Sequence, residues 1–439
     1  MEVKKMDKDK IKEINTVSEA DVMKEMCNNT LSNKDKNQFL ESIMENYYLD
    51  NDNINFLEDN GYSFFKFQNQ DQCFCLSGKV FAECCQTKMQ PKRSEPYTSY
   101  EKSLLNPDEF KVFQTKMTEL FLKHYQNLGA KQVCAIPTCQ KQAVESNLYQ
   151  IDFANEKWYS TNKINPLDSN FKMGEVFFNT VEANNFKYFG WCADHEQTNQ
   201  KNVLSKESSE IEIIQMHTCA ILFKLFIAQV CLTASQEDFL SNFNSIAETG
   251  FQAIFVYRLK KLANQVQSLQ NILLKYLKSY EKNTDLKVIT WELGRQKNFQ
   301  ILDLIYPQIS PSDFQVINSV NNVFVAENPI SFCVNDVCKN TLVTIVFDKT
   351  NKKLQNFINQ YLLIIDEKSK AKEYFVSNCA LILADNILFS AKYFEKLSLD
   401  DKVFLSALNK FRYENPTAGH EYVKMQFFAG FTKGNDFFK

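Results

Sequence analysis

Glycine and proline are scarce in this chain, 10 and 9 residues in 439. That scarcity excludes a collagen-like or low-complexity protein and argues against a loop-rich one. Charge of one sign is scarce too: 50 Lys and Arg stand against 53 Asp and Glu, a net of −3. No overall basic field draws in nucleic acid, so such a contact depends on a local patch. The opening residues, MEVKKMDKDK, are charged and have no apolar run, so no secretory signal is expected. The longest apolar stretch, about 218–232, is broken by Lys224 and Gln229. It is too short and too polar for a membrane span, and no membrane partner is expected. There is no Walker A sequence, dinucleotide fingerprint, Gly-x-Ser-x-Gly elbow or His-Glu-x-x-His, so the enzyme classes those motifs announce are absent.

What the chain has is apolar bulk and thiols. It is 44% hydrophobic with 38 Phe, enough to bury a large core. Its length fits two or three domains at roughly 100–200 residues each. Thirteen cysteines, an odd number, without an export signal, read as reduced thiols in a cytosol.

Four of those thiols are concentrated in Cys73-Phe-Cys75-Leu-Ser-Gly-Lys-Val-Phe-Ala-Glu-Cys84-Cys85, a C-x-C-x8-C-C pattern. This spacing lets two tight knuckles close on one tetrahedral ion, and soft thiolates with a d10 ion favour zinc over iron. Gly78 permits the turn that brings the second pair back to the first, and Phe74 and Phe81 offer a small apolar floor. The plainer reading is a group of reduced structural cysteines or a disulfide. Adjacent Cys84 and Cys85 would rarely be oxidised in a cytosol. With all four thiolates as ligands no coordination position stays open, so the expected zinc is structural and not catalytic. The segment resembles the SEC-C motif, a small zinc module of the bacterial preprotein-translocation motor and of many uncharacterised bacterial proteins. The resemblance covers these residues alone and implies a zinc module; contact with a partner protein is one function such a module could serve.

A second constellation follows. Cys134-Ala-Ile-Pro-Thr-Cys139 is C-x4-C and Cys192-Ala-Asp-His195 is C-x2-H, with 52 residues between the pairs. A knuckle, a long insertion and a second knuckle leading toward a helix match the order of a treble-clef finger, with Cys134, Cys139, Cys192 and His195 as ligands of a second Zn2+. The alternative is two unrelated elements with ordinary cysteines. The surroundings, Ala143-Val144-Glu145-Ser146-Asn147-Leu148-Tyr149-Gln150 and Phe189-Gly190-Trp191-Cys192 with His195-Glu196, resemble uncharacterised bacterial proteins whose finger is similar to that of HNH nucleases. Ala384-Asp385-Asn386-Ile387-Leu388-Phe389-Ser390 echoes a further stretch of that group.

One departure matters. Where the resemblance places a general-base His, the chain has Asn147, and an amide accepts no proton near neutrality. Glu145 is a conceivable substitute base and Glu196 a conceivable Mg2+ or Mn2+ ligand, although both read more simply as solvated carboxylates. No catalytic residue is therefore assigned. Cys333-x4-Cys338 has knuckle spacing but no second pair. Cys27, Cys219, Cys231 and Cys379 read as packing residues.

Periodicity supplies the rest. Residues 106–128 read as a helix, with Asn106 as N-cap, Pro107 at the first position and Phe110, Phe113, Met117, Leu120 and Phe121 on one face. Apolar helices are expected over 208–232 and 255–280. Short β-branched or aromatic runs at 288–293, 323–325, 330–334 and 341–347 suggest an antiparallel sheet, and helical spacing returns over 354–397. The expected class is α+β, divided into a helical segment 1–70, a SEC-C-like module 71–90, a finger with flanking helices 105–235 and an α+β domain 236–439. The function expected is zinc-dependent binding of DNA, RNA or a nucleoprotein, helped by Lys79, Lys88, Lys92, Arg93, Lys131 and Lys141. The resemblance adds an accessory role in antiphage defence or a mobile element. The alternatives are a divergent metal-dependent nuclease and a protein-interaction adaptor.

Overall fold

A computed structural model describes residues 67–89, 107–151, 155–160, 178–201, 204–242, 249–282, 285–293, 299–307, 317–318, 328–337, 340–367, 375–376, 379–397 and 402. The helical segment expected over 1–70, up to residue 66, the Asn106 cap and the 323–325 run lie outside them. In chain order the elements are α1 (Pro107–Gly129), β1 (Val144–Asn147), β2 (Trp158–Ser160), β3 (Asn179–Val181), β4 (Lys187–Trp191), α2 (Ala193–Lys201), α3 (Glu210–Asn242) and α4 (Thr249–Lys278). They continue with β5 (Leu286–Leu293), β6 (Phe299–Ile305), β7 (Ile330–Val337), β8 (Asn340–Asp348), α5 (Lys352–Glu367), β9 (Ile387–Ser390) and α6 (Ala391–Phe394). The class is α+β, as its composition of runs suggests. Two units are separable: Met1–Phe67 with Ile246–Tyr257, and Gln68–Ser245 with Arg258–Lys439. Of the first, Phe67 and the opening of α4 are described; the second holds all that follows.

Seven strands form one antiparallel sheet in the order β3-β2-β9-β6-β7-β8-β5. Both faces are covered, which is why β8 is buried at seven successive positions and reads as a continuous apolar run with no alternation. Phe332, Val334, Val343, Ile345 and Phe347 point into a core shared with Leu354, Phe357 and Ile358 of α5 and with Phe375 and Val376. The opposite face meets α3 and α4. There Tyr276 of α4 donates to the Val346 carbonyl at 3.0 Å.

Helix α3 is apolar on every side because it packs against α1, β4 and the sheet at once. The apolar helix is longer than the stretch read at 218–232: Glu210–Ser241 is long and apolar enough to cross a membrane by length and composition, but 72% of its apolar window is buried inside the protein. Two polar residues on this helix are locked into the sheet. The His217 ring is fully buried, with Nδ1 2.6 Å from Ser331 Oγ and Nε2 2.7 Å from Thr344 Oγ1. Burial pushes its pKa down to about 3, so the ring is neutral and gives one donor and one acceptor to the two hydroxyls.

Lys224 fills a different need. Strand β9 begins at Ile387, opposite Ile301, so the next outward-facing groups of β6 have no strand beside them. The Leu302 N–H instead donates to Tyr149 Oη at 3.0 Å, and Lys224 Nζ donates to the Leu304 carbonyl at 2.9 Å. Lys224 also lies 2.7 Å from the fully buried Asp303 and 3.0 Å from Asp385. Asp303 in turn accepts the N–H groups of Leu304, Asp385 and Asn386. Two side chains and one carboxylate thus complete the ladder where a strand stops.

The structure departs from the helical spacing read over 354–397. Helix α5 ends at Glu367, and Ile387–Ser390 is strand β9. Its first three residues are all buried between β2 and β6, and a fully buried run carries no period that separates strand from helix.

Candidate metal centres

The first centre is built by two turns. Cys73 N–H donates to the Lys79 carbonyl at 2.9 Å and Leu76 N–H to the Cys73 carbonyl at 3.0 Å. Leu76 and Gly78 both take positive φ, 57° and 77°, a conformation that glycine adopts freely. Short 3-10 turns at Phe81–Glu83 and Cys85–Lys88 bring back Cys84 and Cys85. The four Sγ atoms of Cys73, Cys75, Cys84 and Cys85 lie within 4.8 Å of one another, with Cys75 at 3.4 Å from both Cys73 and Cys84. Ser77 Oγ sits 3.3 Å from Cys84 Sγ, an outer hydrogen bond of the kind that orients a ligand.

Electrostatics shows why such a group suits a cation. Burial raises the Cys75 thiol, but contacts with Ser77, Cys73 and Cys84 overcome it and hold the pKa down to about 6. Burial and the neighbouring thiols push Cys85 the other way, and burial raises Cys73. Four thiols in contact cannot all ionise alone, whereas a divalent cation removes the conflict.

The second centre joins a loop, a strand pair and a helix. The Cys134 N–H donates to the Lys141 carbonyl, Ala135 N–H to the Gly190 carbonyl and Cys139 N–H to the Ile136 carbonyl, at 2.8–2.9 Å. Strands β1 and β4 pair antiparallel behind this loop, and Cys192 and His195 stand at the start of α2. His195 Nδ1 is 3.3 Å from the Sγ atoms of Cys134 and Cys192, and Cys139 is 3.8 Å from Cys192. The four ligand atoms fall within 4.8 Å. Burial pushes Cys134 up to about 11. For Cys192 burial is outweighed by the backbone N–H groups of His195 and Asp194 and by the adjacent thiols, so its pKa is lowered. Lys141 and Asp194 form an ion pair at the rim, both well exposed.

The strand pair is held against α1 by a contact that leaves no space. A Cβ added at Gly129 would sit 2.5 Å from the Phe189 ring. Gly129→Ala is therefore expected to destabilise by about 1–3 kcal/mol, because an over-packed rigid ring costs more than the gain in helix propensity. Urea unfolding checks this; a stabilised variant would show that Phe189 yields.

The residues weighed for chemistry are not assembled. Glu145 lies 2.8 Å from Lys187 and accepts from Tyr125 Oη at 3.3 Å. Asn147 is an exposed residue at the end of β1, opposite Lys187. Glu196 is buried on α2, within electrostatic reach of Tyr188 and Cys219. Among the described residues, the groups able to hold an ion are the two above, and neither glutamate belongs to one. His124 pairs with Glu237 at 2.8 Å. Cys219, Cys231, Cys333 and Cys379 are buried, and burial raises each thiol. They are packing residues. Cys27, Cys338, Lys92, Arg93 and His420 lie outside the described residues.

Sequence signals missed the residues that hold the first centre in place. Phe239 packs edge-on against Phe74, Gln236 donates to the Phe74 carbonyl and Lys260 pairs with Asp71. They lie more than a hundred residues downstream, and no local pattern marks them. No protein-family model, curated protein or solved structure matches the chain.

Proposed function

We propose that the protein binds two structural zinc ions and engages nucleic acid through the surface around its second, treble-clef-like finger, in a bacterial cytosol. The observation that carries the metal reading is the pair of closed four-ligand groups, with ligand atoms already within 4.8 Å. One group is made of four cysteines, the other of three cysteines and a histidine. Such sets suit a tetrahedral d10 ion. The resemblance of residues 73–85 to the SEC-C motif and of 134–196 to HNH-like fingers points the same way. Support for nucleic acid at that surface is the exposed Lys131 beside Cys134; Lys79 and Lys88, exposed at the first centre, offer a separate basic patch, and none of the three forms an ion pair among the described residues. Lys141 is engaged with Asp194. A nuclease is disfavoured: Asn147 lacks a base, and Glu145 is held by Lys187.

Metal content by mass spectrometry tests the first half. About two zinc per chain are expected, falling to one in Cys192→Ala. One zinc in both proteins would remove the second centre. Fluorescence anisotropy with DNA and RNA oligonucleotides tests the second half. Phosphate-driven binding should weaken about tenfold or more between 50 and 200 mM salt. Binding that ignores salt, or none at all, would favour the adaptor.

A further inference from the structure

We infer that the first metal module is an internal clamp that fastens α3 to α4. The limb Asp71–Phe74, which carries the first ligand and runs directly into the second, is where the two helices meet it. Phe74, between ligands Cys73 and Cys75, is 2% exposed, with its ring 5.3 Å from Phe239 of α3 at 80°. Gln236, also on α3, donates from Nε2 to the Phe74 carbonyl at 2.9 Å. From α4, Lys260 is buried and reaches Asp71 at 3.0 Å. Three contacts of different kinds, from both sides of the α3–α4 connection, converge on one limb of one loop.

A segment this short, whose buried side chains are Phe74, Phe81 and three of its thiols, cannot bury enough apolar surface to hold its shape alone. A closed thiolate site supplies that shape, since metal binding there is folding free energy. The ion therefore presents the Phe74 ring and carbonyl to α3 and Asp71 to α4. By reciprocity, the helices raise the affinity for the ion by the same factor. The module's apolar floor faces inward, so a docking partner cannot use it.

The clamp rests on metal occupying the first centre, and the test separates the two. Zinc release from the full chain to a chromogenic chelator is followed for wild type, Gln236→Ala and Lys260→Met, none of which alters a ligand. One of two zinc ions should leave about tenfold faster in each variant, as loss of one such hydrogen bond implies. The second-centre zinc should be unchanged and serves as control. Amide hydrogen exchange on Cys75→Ser should then quicken within 232–242 and 259–266 as well as within 67–89. Unchanged release rates, or faster exchange confined to 67–89, would overturn the clamp while leaving the metal site. A wild-type chain that holds no ion at Cys73, Cys75, Cys84 and Cys85 would overturn both.

Discussion

Asp303→Ala is expected to be the most damaging single substitution in the sheet, lowering stability by about 3–5 kcal/mol. The carboxylate is fully buried and serves four donors: Lys224 Nζ and the backbone N–H groups of Leu304, Asp385 and Asn386. Removing it leaves three backbone donors short of an acceptor. It also leaves an ammonium that is 11% exposed with Asp385, 44% exposed, as its remaining carboxylate. The double variant Asp303→Leu with Lys224→Met should recover part of the loss, because an apolar pair carries no desolvation penalty. Urea unfolding monitored by circular dichroism reads both. A loss below about 1 kcal/mol for Asp303→Ala would mean that water takes the place of the carboxylate.

Acid should weaken the protein through His217. The ring's folded pKa is about 3, against about 6.5 when unfolded. The unfolded chain therefore takes up a proton that the folded chain refuses throughout that window. Stability from this group is complete above pH 6.5 and falls by up to about 1.4 kcal/mol per unit below it. Near pH 4 the loss reaches about 3 kcal/mol. The cause is geometric: both ring nitrogens are engaged by Ser331 and Thr344, and no carboxylate stands among those contacts to offset a charge. A metal held by the cysteine groups would also be released in acid, so the informative quantity is the difference between wild type and His217→Gln. Unfolding midpoints from pH 7 to pH 4 should fall less steeply in the variant, by close to one proton. Parallel curves would sink the assignment.

These two residues also show where sequence reading stops. Lys224 reads as a break in an apolar stretch, and His217 falls within the apolar helix expected over 208–232. Nothing local says that Ser331 and Thr344, more than 110 positions after His217, and Asp303, far downstream of Lys224, hold them. The metal groups were legible because their chemistry is local: Cys73 to Cys85 span 13 residues, and the C-x4-C and C-x2-H pairs each fit one turn. Helices α1, α3 and α4 were legible from period and from Pro107, and β5, β7 and β8 from their β-branched runs. Strands β2, β3 and β6 leave no such mark. The first two have three residues each, too short for a pattern, and β6 is buried at all but one position, which hides alternation. That Asn386 marks the end of a strand pairing could be seen only once Tyr149 and Asp303 were beside it.

Strands β2 and β3 lie in the chain between Cys139 and Cys192 of the second group, yet they form one end of the seven-stranded sheet. The second centre therefore ties off a loop whose middle is woven into another layer. A site built this way is not portable. Excising 134–196 for use on its own would strip the sheet of two strands and expose the Tyr159–Phe389 seam. Grafting only the ligands elsewhere would leave the tether behind.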